Sequence, residues 1–327
     1  MADVRATPTP TPPTPPTRPD VPDDVPVLAV RDLRVWYHTQ TPPVRAVDRV
    51  SFTLRAGERF GLAGESGSGK STLATALMGL VREPGRIEGG SIEVAGRDIA
   101  SLGDEAVRRL RLAEIAIVPQ GAMNSLNPVR RIRDHFKDNI HAHLRGTNRD
   151  GVNGAALRAR IEELLGMVGL RADVADRYPH ELSGGMKQRV CIALAITLRP
   201  KVIVADEPTS ALDVVVQRQV VQALRSVQEE LGAAVLLVGH DMGLLAQFVD
   251  RLGVMYAGRL VEVGPVGRVF ADPAHPYTQM LISSLPRLDE RDLPASVARF
   301  EPARMRPRPE DELHEVGPGH WVLPFQL

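Results

Sequence analysis

Apolar residues fall in short runs separated by Gly, Pro and Asp, and the runs carry two different periods. Residues 27–37 (VLAVRDLRVWY) and 50–54 (VSFTL) are short and rich in β-branched and apolar side chains, which predicts strands. Residues 59–63 predict a further strand running into a Gly-rich turn, and residues 70–80 predict a helix. Residues 89–99 read as a hairpin with Gly at its turns, and 114–118 as a short buried strand. Further on, helix and strand alternate: helix 183–198, strand 201–205, helix 214–231, strand 234–239. That alternation implies a parallel sheet with helices packed on it. Residues 254–263, with Gly at the turn, predict a closing hairpin.

Three stretches break the pattern. Residues from about 124 to 183 are polar, Arg-rich and helical in period, with Gly-containing interruptions, and predict a separate helical subdomain. Residues 1–26 hold nine of the 27 prolines, mixed with Thr and almost no large apolar side chains. Such a segment cannot bury a core and is expected to be an extended, disordered arm. Beyond 285 the chain is rich in Pro, Arg and Glu and predicts no clear element, so 286–327 reads as a C-terminal extension. No internal repeat is visible, which leaves one nucleotide-binding unit over 27–285.

Composition narrows the class. Of 327 residues, 43% are hydrophobic and 24% charged, enough for a packed soluble core. Lys+Arg and Asp+Glu both number 40, which argues against binding nucleic acid through bulk charge, and no nucleic-acid partner is expected. The one cysteine, Cys191, can make neither an intrachain disulfide nor a Cys-rich metal site, which suits a reducing compartment. It lies in an apolar helical stretch and reads as a small buried hydrophobe. No run of 18 apolar residues and no signal-peptide pattern occur, so a protein serving a membrane is expected to work at its cytoplasmic face, docked on other subunits.

Residues 64–71, GESGSGKS, match G-x-x-x-x-G-K-[ST] between an apolar strand and an apolar helix. Gly64, Gly67 and Gly69 let backbone N–H groups turn inward around phosphates, with Glu65, Ser66 and Ser68 between them. Lys70 supplies a positive charge for the terminal phosphates, Ser71 a hydroxyl for Mg²⁺, and Thr72 lies in the first helical turn. The helix N-terminus adds about half a charge. The plain alternative is an ordinary Gly-rich turn. KVIVAD (201–206) is a buried strand ending in Asp206, followed by Glu207. Ligands gather at the carboxyl ends of such strands. Asp206 is therefore a candidate Mg²⁺ holder and Glu207 a candidate base for water; two acids capping a turn are the alternative.

LSGGMKQ (182–188) resembles the signature of the ABC ATPase family, and other parts of that family's pattern follow in order. Gln120 in IVPQ matches the glutamine that reaches the metal and γ-phosphate. SALD (210–213) matches the loop after the acidic strand, with Asp213 at its end. His240 in VGHD matches the switch histidine, and Tyr37 in LRVWY matches the aromatic that stacks on adenine. Trp36 beside it competes for that role. Taken singly, Gln120, His240 and Tyr37 also read as a polar strand end, a core histidine and core packing. The resemblance covers residues 27–285. It implies a P-loop NTPase fold of α/β class, with a mixed sheet core, an antiparallel β subdomain and a helical subdomain. It also implies that ATP and Mg²⁺ lie between one chain's phosphate loop and the opposite chain's Ser183, Gly184 and Gly185. Glu207, His240 and Gln120 are the catalytic candidates.

Several segments are similar to the dipeptide/oligopeptide/nickel importer ATPases: QGAMNSLNP (120–128), RYPHELSGGMKQR (177–189), HDMGLLA (240–246), VMYAGRLVEVGP (254–265) and HPYTQMLISSLP (275–286). That resemblance implies a second ATPase subunit, identical or different, two membrane permeases and, indirectly, an extracytoplasmic solute-binding protein. Peptides or similar small solutes are the expected cargo, with nickel as an alternative. The tail departs from the family: residues 287–327 hold no cysteine to ligate an iron–sulfur cluster, although GHWV (319–322) resembles the family's tail end. Gly239 stands where Thr or Ser is usual. A soluble ABC ATPase, such as a carbon–phosphorus lyase accessory subunit, is the second reading; a regulatory module without turnover is the third, and intact Glu207 and His240 speak against it.

Overall fold

The computed structural model describes residues 25–144, 154–285, 301 and 305–325. All but the last two residues of the N-terminal arm, and parts of the C-terminal extension, lie outside that range. Strands β1 (Leu28–Tyr37), β2 (Val44–Leu54) and β3 (Arg59–Ala63) lead into helix α1 (Lys70–Leu77). Strands β4 (Gly85–Val94) and β5 (Arg97–Asp98), helix α2 (Asp104–Leu110) and strand β6 (Ile115–Val118) follow. The Arg-rich stretch contains helices α3 (Ile132–Leu144) and α4 (Gly154–Met167) and two 3-10 turns, Ala172–Asp176 and Pro179–Glu181.

Helix α5 (Gly184–Ala195), strand β7 (Val202–Asp206), helix α6 (Val214–Leu231), strand β8 (Ala234–Gly239) and helix α7 (Met242–Phe248) then alternate. Strands β9 (Arg251–Tyr256) and β10 (Arg259–Pro265) form the hairpin expected around Gly258, and helices α8 (Val266–Ala271) and α9 (Pro276–Ser283) come after it. The tail adds strands β11 (His314–Gly317) and β12 (His320–Val322).

The strands form two sheets. One is antiparallel, in order β2-β1-β4-β5; the other has order β11-β12-β10-β9-β3-β8-β7-β6. In the second sheet β6, β7, β8, β3 and β9 run parallel, while β10, β12 and β11 extend it antiparallel. Strand β7 is buried along its whole length, as a central parallel strand with both faces covered must be. Its alternate residues serve different cores. Val202 and Val204 join Leu73 and Leu77 of α1 and the apolar face of the antiparallel sheet. Ile203 and Ala205 join residues of α3, α4, α5 and α6 on the opposite face. The period of two along one strand thus packs against α3–α6 on one face and against α1 and the antiparallel β-layer on the other.

Strand β2 begins at Val44 rather than at 50, because its first residues lie at the exposed edge of the antiparallel sheet and carry no continuous apolar run. The 89–99 hairpin likewise begins earlier, at Gly85, where pairing with Tyr37 of β1 sets the register. The helix expected over 70–80 stops at Leu77; Gly79 takes a left-handed conformation just beyond it.

Candidate nucleotide site

Parallel register delivers the candidate residues to one edge. Val118 pairs with Ala205, Asp206 with Val238, and Ala63 with Gly239. The residues that follow these strand ends include Gln120, Glu207, His240 and the loop 64–69, so all emerge at the carboxyl edge of the sheet.

The loop is held tightly. Gly64 and Gly69 adopt φ of 151° and 107°, and a Cβ there would lie 2.3 Å from the Met255 carbonyl oxygen and 2.0 Å from that of Ala46. No L side chain fits either position, so β9 and β2 grip the loop by backbone contact. No side chain caps α1, whose first-turn N–H groups are left for an anion. Lys70, 4% exposed, donates to the carbonyls of Gly64 and Glu65, both at 2.7 Å, and to Ser68 Oγ at 3.2 Å. Burial lowers the Lys70 ammonium from its usual pKa, opposed by the charges of Glu207, Asp206 and Glu65.

Asp206, 5% exposed, accepts from Ser71 Oγ at 3.3 Å. Burial raises its carboxyl above the usual range; the Ser71 hydrogen bond opposes this, the Glu207 charge adds to it, and Lys70 opposes it weakly. Glu207 has φ of 45°, an uncommon value for a residue with a Cβ. Its N–H is fixed on the Val238 carbonyl at 2.9 Å. Gln120 Nε2 donates to Glu207 Oε2 at 2.9 Å, and His240 Nδ1 stands 3.5 Å from Glu207 Oε1. The structure therefore gathers Gln120, Glu207 and His240 around one carboxylate, beside Asp206, Ser71 and Lys70. A pocket lined by Glu207, Ser210, Gln217, His240 and Asp241 opens there.

Two hard oxygens on neighbouring elements, Ser71 Oγ and Asp206 Oδ1, suit Mg²⁺, which takes one or two protein ligands and completes its shell with phosphate and water. No group of three or more acidic, His or Cys side chains that could cage a metal occurs among the described residues.

The signature residues stand elsewhere. Ser183 caps α5, its Oγ accepting from the Met186 N–H at 3.3 Å, and Asp213 caps α6 through the N–H groups of Val215 and Val216 at 3.0 Å. The nearest side chains to Gly184 are Leu212 and Met123; to Gly185 it is Val216, whose Cγ1 would lie 2.3 Å from a Cβ. Gly185 is thus demanded by its own fold: α5 and α6 meet there. Tyr37 ends β1 with its ring against Gly85, and Trp36 carries the Arg45 guanidinium over its face at 4.8 Å. Cys191 is buried, donates to the Ala122 carbonyl at 3.3 Å, and has its thiol pushed up to about 12 by burial. Such a thiol is unreactive.

Sequence reasoning assigned no role to Tyr277, yet its hydroxyl accepts the Glu65 N–H at 2.9 Å. The HPYTQ segment was visible in the sequence, but nothing local links it to residue 65.

Comparison with known proteins gives the same picture. Residues 47–210 match the family model "ABC transporter", and residues 261–309 match "Oligopeptide/dipeptide transporter, C-terminal region". The dipeptide transport ATP-binding protein DppD of Haemophilus influenzae is 42% identical over 269 residues, spanning 81% of this chain and 79% of that protein. DppD of Escherichia coli is 42% identical over 262 residues, spanning 80% and 78%. Among solved structures, a dimeric ATP-binding cassette in a post-hydrolysis state, bound to ADP and Pi, superposes with a TM-score of 0.64 at 28% identity, covering 73% of this chain and 98% of that one. Two family models in sequence order, relatives matched along most of their length and a shared cassette fold agree on one assignment: the chain belongs to the ABC transporter ATPases, in their oligopeptide/dipeptide transporter branch.

Proposed function

We propose that this chain is the ATP-hydrolysing subunit of a peptide importer, working as half of a nucleotide-sandwich dimer at the cytoplasmic face of a membrane. The observation that carries the catalytic part is the meeting of Gln120 and His240 on the Glu207 carboxylate, next to Lys70 and Asp206. Residues 64–72 cradle the phosphates, Lys70 offsets their charge, and Tyr37 stacks on the adenine. Ser71 and Asp206, joined by Gln120, would hold Mg²⁺, which when bound neutralises charge on the phosphates. Glu207 receives the proton of the attacking water. His240 orients that carboxylate and senses the terminal phosphate. Ser183, Gly184, Gly185 and Asp213 face the partner's nucleotide across the dimer. The atoms nearest Gly184 and Gly185 belong to Leu212, Met123 and Val216 and none to residues 64–71, which supports pairing in trans.

No helix among the described residues is long and apolar enough to cross a membrane. In this reading the transport path belongs to permease partners. The surface at 120–128 and the helices of the Arg-rich stretch dock those permeases. An extracytoplasmic binding protein delivers the solute. The relatives' names favour peptides; they lend nothing to nickel or to a carbon–phosphorus lyase role. Reconstitution with two membrane permeases of a peptide importer, followed by uptake of labelled dipeptide and of labelled nickel, tests the cargo. ATP-dependent uptake of dipeptide is expected. Uptake of nickel alone, or an ATPase indifferent to permeases, would sink the proposal.

A further inference from the structure

We propose that Tyr277 is a positioning residue for the phosphate loop, through which the C-terminal segment sets nucleotide affinity. Residue 65 is held at both ends of its backbone. Its N–H donates to Tyr277 Oη at 2.9 Å, and its carbonyl accepts from Lys70 Nζ at 2.7 Å. A shift of the Tyr277 hydroxyl therefore moves an acceptor of the ammonium that meets the phosphates.

The tyrosine is itself fixed from the tail. It is fully buried, and its ring lies 4.6 Å from that of Tyr256 at the end of β9. Its own N–H donates to His275 Nδ1 at 3.1 Å, which caps α9. The buried carboxylate of Glu262 on β10 accepts the N–H groups of Ala274 and His275 at 2.9 Å and meets His320 Nε2 of β12 at 2.7 Å. A continuous path of hydrogen bonds runs from the tail strand β12 through Glu262, His275 and Tyr277 to Glu65. A fully satisfied buried network of this kind holds one geometry. The benefit to binding is preorganisation: the loop need not be ordered when the nucleotide arrives.

The inference rests on residues 64–71 being the nucleotide loop, and the test separates the two. In the full chain, Tyr277→Phe keeps the ring and removes the acceptor. Loss of one hydrogen bond, about a factor of five in an equilibrium constant, is the expected rise in the dissociation constant for MgATP. Hydrogen exchange across 64–69 is expected to accelerate in the same variant. In the assembled transporter KM for ATP rises while kcat at saturation holds. Thr278→Val is the control, since the Thr278 hydroxyl is buried on the same helix without a partner. It is expected to leave affinity unchanged. A dissociation constant within about two-fold of the parent in Tyr277→Phe overturns the proposal, as does an equal shift in Thr278→Val. Retained binding in Lys70→Ala would instead overturn the assignment of the loop.

Discussion

Gln120 donates its side-chain N–H to the same carboxylate that His240 approaches, so the end of β6 and the end of β8 meet on Glu207 between them. Strands β6 and β8 flank β7 in the sheet, and Glu207 directly follows β7. Three adjacent parallel strands thus place one side chain each on a common point.

Glu207→Gln is the direct test. The amide keeps the size, and its oxygen can still accept from Gln120, but it cannot take a proton. ATP should still bind, and hydrolysis in the assembled transporter should fall at least about 100-fold, the usual scale for a lost general base. The dimer should accumulate in its closed form. Near-parental turnover with ATP bound would place the base elsewhere.

Asp206→Asn should separate stability from function. Burial raises the Asp206 carboxyl, so its folded-state pKa lies above its unfolded one, and the ionised form costs stability. For an acid shifted in that direction, stability is lost as pH rises through the folded pKa and regained below it. Without nucleotide, Asp206→Asn should therefore melt above the parent at pH 7, and the gap should shrink as pH falls below the folded pKa. The same variant should lose Mg²⁺-dependent ATP binding. A lower melting temperature at pH 7 would contradict the desolvation argument.

His275 predicts the opposite pH response. Burial lowers it from 6.5 to about 4, and its Nδ1 accepts the Tyr277 N–H, which a protonated ring cannot do. A histidine depressed in the folded state binds fewer protons than in the unfolded chain. Stability should therefore fall as pH drops from 6.5 towards about 4. Asn keeps a capping acceptor at this position. His275→Asn should flatten that part of the pH profile, measured by urea midpoints at pH 7 and pH 5. A slope unchanged from the parent would show that other groups dominate acid sensitivity.

The legible parts were those where local chemistry and topology agree. The strand–loop–helix at 59–77 announces itself because a phosphate loop needs Gly, Lys and Ser at fixed spacing. The helix–strand alternation over 183–239 implies the parallel pairing found between β7 and β8, but not the order of the strands in the sheet. The tail was opaque because its structure is non-local. Strand β12 pairs with β10, Val322 beside Glu262, and only three residues make the strand, too few for a period to register. Tyr277 escaped for the same reason: its partner is 212 residues away. Gly185 was legible as a signature residue, but Val216 packing against it was not.

That contact changes how action in trans is best tested. A Gly185→Asp substitution would place a carboxylate where the partner's γ-phosphate is proposed to lie. In the structure a Cβ at 185 falls 2.3 Å from Val216 Cγ1, so a side chain there must first displace Val216 on α6 within its own chain, and a loss of dimer could then come from that local strain. Ser183 avoids this. It is exposed, and among the described residues its side chain caps α5 through Met186 N–H while its carbonyl accepts from Lys187 N–H. Asp is as good an N-cap as Ser, so Ser183→Asp keeps the helix start while adding a negative charge at the exposed tip. The isolated variant should melt like the parent and bind ATP at Lys70 with unchanged affinity. Mixed with ATP in the hydrolysis-deficient Glu207→Gln background, it should fail to form the sandwich dimer, because the added carboxylate faces a triphosphate across the interface. Gel filtration with multi-angle scattering reads the dimer, and a nucleotide titration on the same sample reads the site. Dimerisation at the parental level would remove Ser183 from the interface. Loss of ATP affinity in the monomer would mean that the signature serves the nucleotide of its own chain.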